Sequence, residues 1–326
     1  MPPFFSHLLA SPWALIVFFL IASLLMLNSL DRMQNRGLEG TVVGTLIMPY
    51  CSGAPNLIFA GVLAFRNGPG TEVMVNAIVN NVTNLSLLIG LPGLVWALGI
   101  MPRRKLSRKA LKEHRLGKLS LALTLLAVLF FTGVTWGLGR DGDLTRGDGL
   151  ALVGMFLFWQ SFQVFDVLRT NIERQRRLSL LFLLDAAQLA VGGVLMFVSI
   201  DRLVLWLEGI QTGFISYRYI GWLSGWLMVL PNAVPAFYYA AKQRADVVYS
   251  SQVGDGHICI PLCIGLFALI NPVGIPPFFT MAMAVLAGLS VFHLLFVAVL
   301  GRLPRPAAAA LILAYAAFVY SGITAT

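Results

Sequence analysis

The sequence predicts an all-α polytopic membrane protein of about ten transmembrane helices, laid out as two inverted five-helix repeats. Three observations predict it. Of 326 residues, 58% are hydrophobic and 11% charged, with a mean hydropathy of +0.82, which is more apolar surface than a soluble core of this size can hide. The apolar residues gather into ten runs, each close to the roughly 20 residues that cross a hydrocarbon layer. A pattern of proline, asparagine, turn and polar helix start also occurs once in each half of the chain.

The runs fall at 11–29, 40–66, 72–99, 117–138, 148–168, 178–200, 215–241, 247–270, 274–300 and 305–324. The first, within MPPFFSHLLASPWALIVFFL, has no Lys or Arg ahead of it, so it reads as a span and not as a secretory signal. Arg202 to Thr212 either continue the sixth run or form a short interfacial helix. Placing the N-terminus outside leaves only Arg66, Arg140, Arg146, Arg202 and Arg218 of the 23 Lys and Arg on the outer face. The rest collect in the inward connections, most densely from Arg103 to Lys118 and from Arg169 to Arg177, as the positive-inside rule requires. The expected location is a bacterial-type inner (plasma) membrane with both termini outside. The net charge of +9 therefore records topology; with no basic stripe interleaved with aromatics, nucleic acid is not an expected partner.

The connection around Asn171 to Arg177 divides the chain into residues 1–170 and 171–326, five spans each. An odd number of spans per half forces the halves into opposite orientations, the inverted-repeat plan of secondary transporters. Pro55-Asn56, the turn Asn67 to Gly70 and the polar start Glu72 to Asn84 are matched by Pro231-Asn232, Lys242 to Asp246 and Tyr249 to Cys259.

Polar groups at membrane depth carry the functional reading. Pro49 and Pro55, with Ser52 and Gly53 between them, are expected to break the second span near its middle; Pro231 and Pro235 are expected to break the seventh. Proline frees a backbone carbonyl, and freed carbonyls ligate cations in transporters of this plan. A simple kink is the alternative. Asn76, Asn80 and Asn84 fall on one helical stripe, with Asn81 beside it. Each amide offers a carbonyl oxygen and an NH2 group, as a neutral ligand or as interhelical glue. Asp255 is a carboxylate inside the eighth span, where a charge costs about 2.5–3.5 kcal/mol on insertion scales, so it needs a partner, a cation or a proton. Cys259, four residues on, shares its face; His257 does not and reads as a packed neutral histidine. Asp166 and Asp185 are expected to pair with basic loops beside them, and Trp222, Trp226, Tyr238 and Tyr239 to pack or anchor. Cys51, Cys259 and Cys263 read as free thiols. No P-loop, Rossmann glycine fingerprint or HExxH motif is present, and catalysis is not indicated.

These residues resemble the sodium/calcium exchanger branch of the calcium/cation antiporter superfamily. Its repeats carry a glycine-threonine-serine, proline-glutamate signature on the second and seventh spans, then a polar glycine-asparagine run on the third and eighth. Gly37 to Leu57 fits the first signature without a gap, with Gly44, Ala54 and Pro55 agreeing; Asn76, Asn80-Asn81 and Asn84 fit the polar run with one residue inserted in the turn. The second-half match is Pro231, Asp246 and Gly254-Asp255. Both signature glutamates are asparagines here, Asn56 and Asn232, and the threonine-serine pair becomes Ser52-Gly53 and Met228-Val229. By position the resemblance makes Asn80 and Asn84 first-repeat ligands and puts Asp255 and Cys259 at the equivalent second-repeat places.

The resemblance implies a secondary active cation antiporter with a midplane ion site formed by Ser52, Asn56, Asn80, Asn84, Asn232, Asp255 and Cys259. Its partners would be the lipid bilayer and cations such as sodium, calcium or protons, with no cofactor beyond the transported cation. Calcium takes six to eight oxygens, usually with carboxylates among them. One core carboxylate suits a monovalent cation or a proton better. A degenerate, non-transporting relative with a structural or sensing role is the alternative, since Met228 and Val229 make half of the site apolar. A soft-metal carrier using Cys51, Cys259 and nearby methionines is a weaker third reading.

Overall fold

The computed structural model describes residues 11–35, 48–100, 108–171 and 180–325. Expected features at residues 1–10, at Gly37 to Ile47, at Arg103, Arg104 and Lys105, and at 172–179 lie outside them, as do the side chains of Cys51 and Asp166.

Among the described residues ten helices follow one another: α1 Pro12–Asn35, α2 Met48–Phe65, α3 Gly70–Trp96, α4 Arg108–Leu138, α5 Arg146–Asn171, α6 Leu180–Glu208, α7 Ile220–Ala241, α8 Ala245–Ile270, α9 Phe279–Leu295 and α10 Arg305–Ala325. Among the described residues, α1, α3, α4, α6, α7, α8 and α10 are long and apolar enough to cross a membrane; α2 and α9 are shorter and apolar. Arg202 continues the sixth helix, which ends at Glu208. Large apolar side chains such as Leu119, Phe158, Leu183, Val194 and Leu313 point away from the protein, as a lipid-facing surface demands.

The helices pair so that exchanging α1–α5 for α6–α10 reproduces the pattern. α1 lies on α6, α3 on α7 as α8 on α2, α10 on α3 as α5 on α8, and α4 on α9. The backbone carries the same signature: Asn67 and Gln243, each eleven residues after the asparagine of its Pro-Asn pair, take the left-handed conformation at φ 52° and 57°. At the centre stand α3 and α8, with 78% and 83% of their apolar stretches buried, while α6 and α10 are peripheral at 28% each.

Contacts between helix ends sort the connections onto two sides. On one, Arg66 at the end of α2 pairs with Asp201 of α6 at 2.6 Å, the Gly221 N–H donates to Glu72 at 2.8 Å, and Asp143–Leu144 pairs antiparallel with Val273–Gly274. On the other, Arg32 pairs with Asp185 at 3.0 Å, Gln243 donates to the Trp96 carbonyl at 3.4 Å, and Leu303 N–H to Leu98 at 2.7 Å. Each successive helix therefore runs opposite to the one before it. Among the described residues Asp185 pairs with Arg32 on a distant helix end, where α1 packs on α6; the loop beside it, where its expected partners stand, lies outside them. That carboxylate is 3% exposed, and the nearby Arg32 supplies it with a compensating charge.

Among the described residues, the breaks expected at Pro55, Pro231 and Pro235 do not occur. Pro55 lies inside a continuous α2, and Pro231 and Pro235 inside a continuous α7. A proline costs one hydrogen bond and a clash with the preceding turn; neighbouring helices hold the rest of each span in register. Pro49 stands at the edge of the described residues, beside Met48, and what precedes it lies outside them. Irregular turns occur elsewhere among the described residues: Cys259–Cys263 form a π-helical turn around Pro261 in α8, and Phe296–Leu300 form another after α9.

Candidate functional site

Two close approaches bring the polar segments together. Only a residue without a side chain fits at Gly53 of α2, where a Cβ would meet Ile258 Cγ2 at 2.9 Å. The same holds at Gly225 of α7, where it would meet Val79 Cβ of α3 at 2.8 Å. Small residues let helix backbones close in without a hydrophobic driving force. α2 thereby presents Ser52 and Asn56 to α8, and α7 presents Asn232 near α3.

Asp255 stands ten residues into α8 and is 0% exposed. At 1.5 Å per residue it lies about 15 Å from the helix start, half of a hydrocarbon core of about 30 Å. Three amides converge on its carboxylate: Asn232 Nδ2 donates to Oδ2 at 2.8 Å, Asn84 Nδ2 at 2.9 Å and Asn80 Nδ2 at 3.3 Å. Ser52 of α2 is a further hydrogen-bonding neighbour of the same carboxylate. Four helices, two from each half, thus meet at one acid.

The amide donors around Asp255 are used, while several acceptors are left without partners. Asp255 Oδ1, Asn80 Oδ1, Asn84 Oδ1 and both amide atoms of Asn56 are buried and accept or donate no hydrogen bond among the described residues. A buried polar atom without a partner costs about 1–3 kcal/mol, and several together call for an occupant. Buried carboxamide and carboxylate oxygens that lack donors, here beside the equally unpartnered Asn56 Nδ2, are what a desolvated cation coordinates.

The structure also places residues that the sequence reading did not single out. Gln252, one turn before Asp255 on the same helix and 0% exposed, donates Nε2 to the Asn232 carbonyl at 3.3 Å and to Ser251 at 2.9 Å, leaving Oε1 without a partner. Its i, i+3 spacing to Asp255 was the available signal. Asn76 departs from the stripe: it donates to Ser224 at 2.9 Å and to Met228 Sδ at 3.4 Å, both on α7. Asn81 donates to the Ala77 carbonyl at 2.7 Å.

Cys259 lies at the edge of the cluster, its sulfur 3.7 Å from Asn80 Nδ2 and hydrogen-bonded to Cys263 one turn on. Among the described residues no group of three or more His, Cys, Asp or Glu is arranged to hold a metal ion. The cluster is therefore amide-dominated, with Asp255 as its acid. His257 is buried with Nδ1 unpartnered. Trp222 is packed, against Trp226, Phe278 and Phe318, whereas Tyr238 is 53% exposed and carries Lys242 over its ring.

Comparison with known proteins places this arrangement. The sequence profile described as "Sodium/calcium exchanger protein" matches residues 7–165 and 184–323. No curated protein matches the chain in sequence. In structure it is similar to the sodium-calcium exchanger NCX_Mj soaked with zero Na+ and Ca2+, with a TM-score of 0.67 at 17% identity, over 97% of this chain and 99% of that one. It is similar also to NCX_Mj soaked with 100 mM Na+ and 10 mM Sr2+, with a TM-score of 0.68 at 17% identity, over 97% and 98% of the two chains. At that identity the likeness establishes a shared fold. With the profile spanning both halves, the chain belongs to the sodium/calcium exchanger family, a cation antiporter scaffold in the membrane and not an enzyme.

Proposed function

We propose that this protein is a secondary active antiporter that carries a monovalent cation or a proton, held at the membrane midplane between repeats 1–170 and 171–326. Asp255 supplies the charge, Asn56, Asn80 and Asn84 supply neutral oxygens, and Asn232 and Ser52 fix the carboxylate. Cys259 closes one edge. The observation that carries the reading is the division of labour at Asp255: amide N–H groups occupy Oδ2, while Oδ1 and the amide oxygens are buried with no donor. A single negative charge balances one positive charge. A dication taken out of water would keep a net charge in low dielectric, which costs several kcal/mol, and calcium sites usually answer that with more than one carboxylate. Both termini are placed on the outer side of a bacterial-type inner membrane, the orientation that the positive-inside rule favours.

The test is flux in proteoliposomes across sodium, potassium, calcium and proton gradients. Asp255→Asn keeps the volume and removes the charge, and is expected to lower flux by roughly tenfold or more while gel filtration and thermal unfolding remain those of a folded protein. Unchanged flux in that variant overturns the assignment. One observation favours a second reading, a scaffold that no longer transports: Met228, where the family signature has a hydroxyl residue, is 1% exposed and engages Asn76 with its sulfur. Absence of both flux and binding for all four ions would select it.

A further inference from the structure

A second feature of the fold lies outside the polar cluster. A cavity of about 430 Å3 opens between the α1–α6 pair and the facing helices α2 and α7. Its walls are apolar, with Phe59 from α2, Val204 and Leu207 from α6, and Leu223 from α7. At the rim stand Trp13 and Ile215, 76% and 55% exposed, so the cavity is continuous with the lipid-facing surface. It runs along α7 from Ile220 to Met228, about 12 Å at 1.5 Å per residue. It thus extends about two turns along the helices, the direction of lipid chains in a leaflet.

Walls of this kind give water no partners, and an empty apolar space forfeits contact on every side. Beside the rim, the chain neighbours of Ile215 belong to a hollow of mixed character, about 380 Å3, in which Gln211, Thr212, Ser216 and Arg218 stand with Phe214 and Tyr219. A cation and hydroxyl groups at the interface, over an apolar slot directed toward the midplane, match the two ends of one amphiphile. The volume falls within the roughly 300–1,000 Å3 of small-molecule sites.

We propose that this is a binding site for one anionic phospholipid, with an acyl chain in the cavity and the phosphate against Arg218. The chain would sit as a wedge between α1–α6 and α2–α7. Its floor is Ser224 and Met228, the two residues that hold Asn76. The site is independent of which ion the protein carries, and stands or falls without it.

Native mass spectrometry of the delipidated protein, titrated with phosphatidylglycerol or phosphatidylcholine, tests the idea. One saturable phosphatidylglycerol per chain is expected. Val204→Trp fills the slot and should weaken it by at least about tenfold; Arg218→Gln should weaken phosphatidylglycerol by about fivefold and phosphatidylcholine, whose choline cancels the phosphate charge, by less. Equal binding of phosphatidylglycerol to Val204→Trp and the parent protein overturns the proposal. Should Val204→Trp fail to fold, brominated phosphatidylglycerol decides: saturable quenching of the fluorescence that Trp206→Phe removes supports the site, and its absence overturns it.

Discussion

Asn84 donates to Asp255 Oδ2 at 2.9 Å, so Asn84→Asp would set two carboxylates at hydrogen-bond distance in a fully buried place. Two such acids cannot both ionise without a cation between them. Without divalent ions the variant should therefore unfold at a lower temperature than the parent. Calcium at about a hundred times its dissociation constant should return about 2.7 kcal/mol, read as a calcium-dependent rise in melting temperature that the parent protein lacks. A rise of equal size in the parent would show that the amides already accept a dication, and would sink the monovalent reading. The sequence made Asp255 legible because a carboxylate inside an apolar run has few harmless explanations. It left Gln252 illegible, because a glutamine near a helix start is ordinary and its partner is a backbone carbonyl twenty residues away on another helix.

At the scale of the helix, the prolines misled and the glycines were silent. Pro55, Pro231 and Pro235 read as breaks, yet α2 and α7 continue through them, because packing in a bundle outweighs the loss of single hydrogen bonds. The close approaches at Gly53 and Gly225 are invisible in one sequence, since nothing local says which helix will press against a glycine. Gly53→Val tests the first. Its added atoms would meet Ile258, already 2.9 Å from the position of a Cβ, and overpacking of this kind costs about 1–3 kcal/mol. Thermal unfolding in detergent should register that loss, and pushing α2 off α8 should draw Ser52 away from Asp255. Gly61, which meets nothing within 4 Å, is the control, and Gly61→Val should be near neutral. Equal melting temperatures for the two variants would contradict the contact between α2 and α8.

For the whole molecule, alternation of the helices is fixed by contacts, but which side faces the cytoplasm rests on charge alone. Asp141 and Arg202 share the side of the Arg66–Asp201 pair; Lys242 and Arg302 share the side of the Leu98–Leu303 contact, and all four are exposed. By the positive-inside rule the first side, poorer in Lys and Arg, is expected to be the outer one. Among the described cysteines, Cys259 and Cys263 are buried, so single cysteines introduced into a Cys51→Ser background report sidedness. A membrane-impermeant maleimide on intact cells should label Asp141→Cys and Arg202→Cys, and label Lys242→Cys and Arg302→Cys only after permeabilisation. The reverse pattern would invert the protein in the bilayer and move the lipid wedge to the inner leaflet, while leaving the amide cluster at the midplane. A mixed pattern, with one residue of each pair labelled, would contradict the helix alternation itself. Because the two halves are related by an inverted two-fold, the fold has no intrinsic preference for either orientation, and a few loop cations must decide it. Moving that charge is the corresponding intervention: neutralising Lys242 and Arg244 removes only two inward cations, and labelling should stay as in the parent while the dense Arg103 to Lys118 cluster remains.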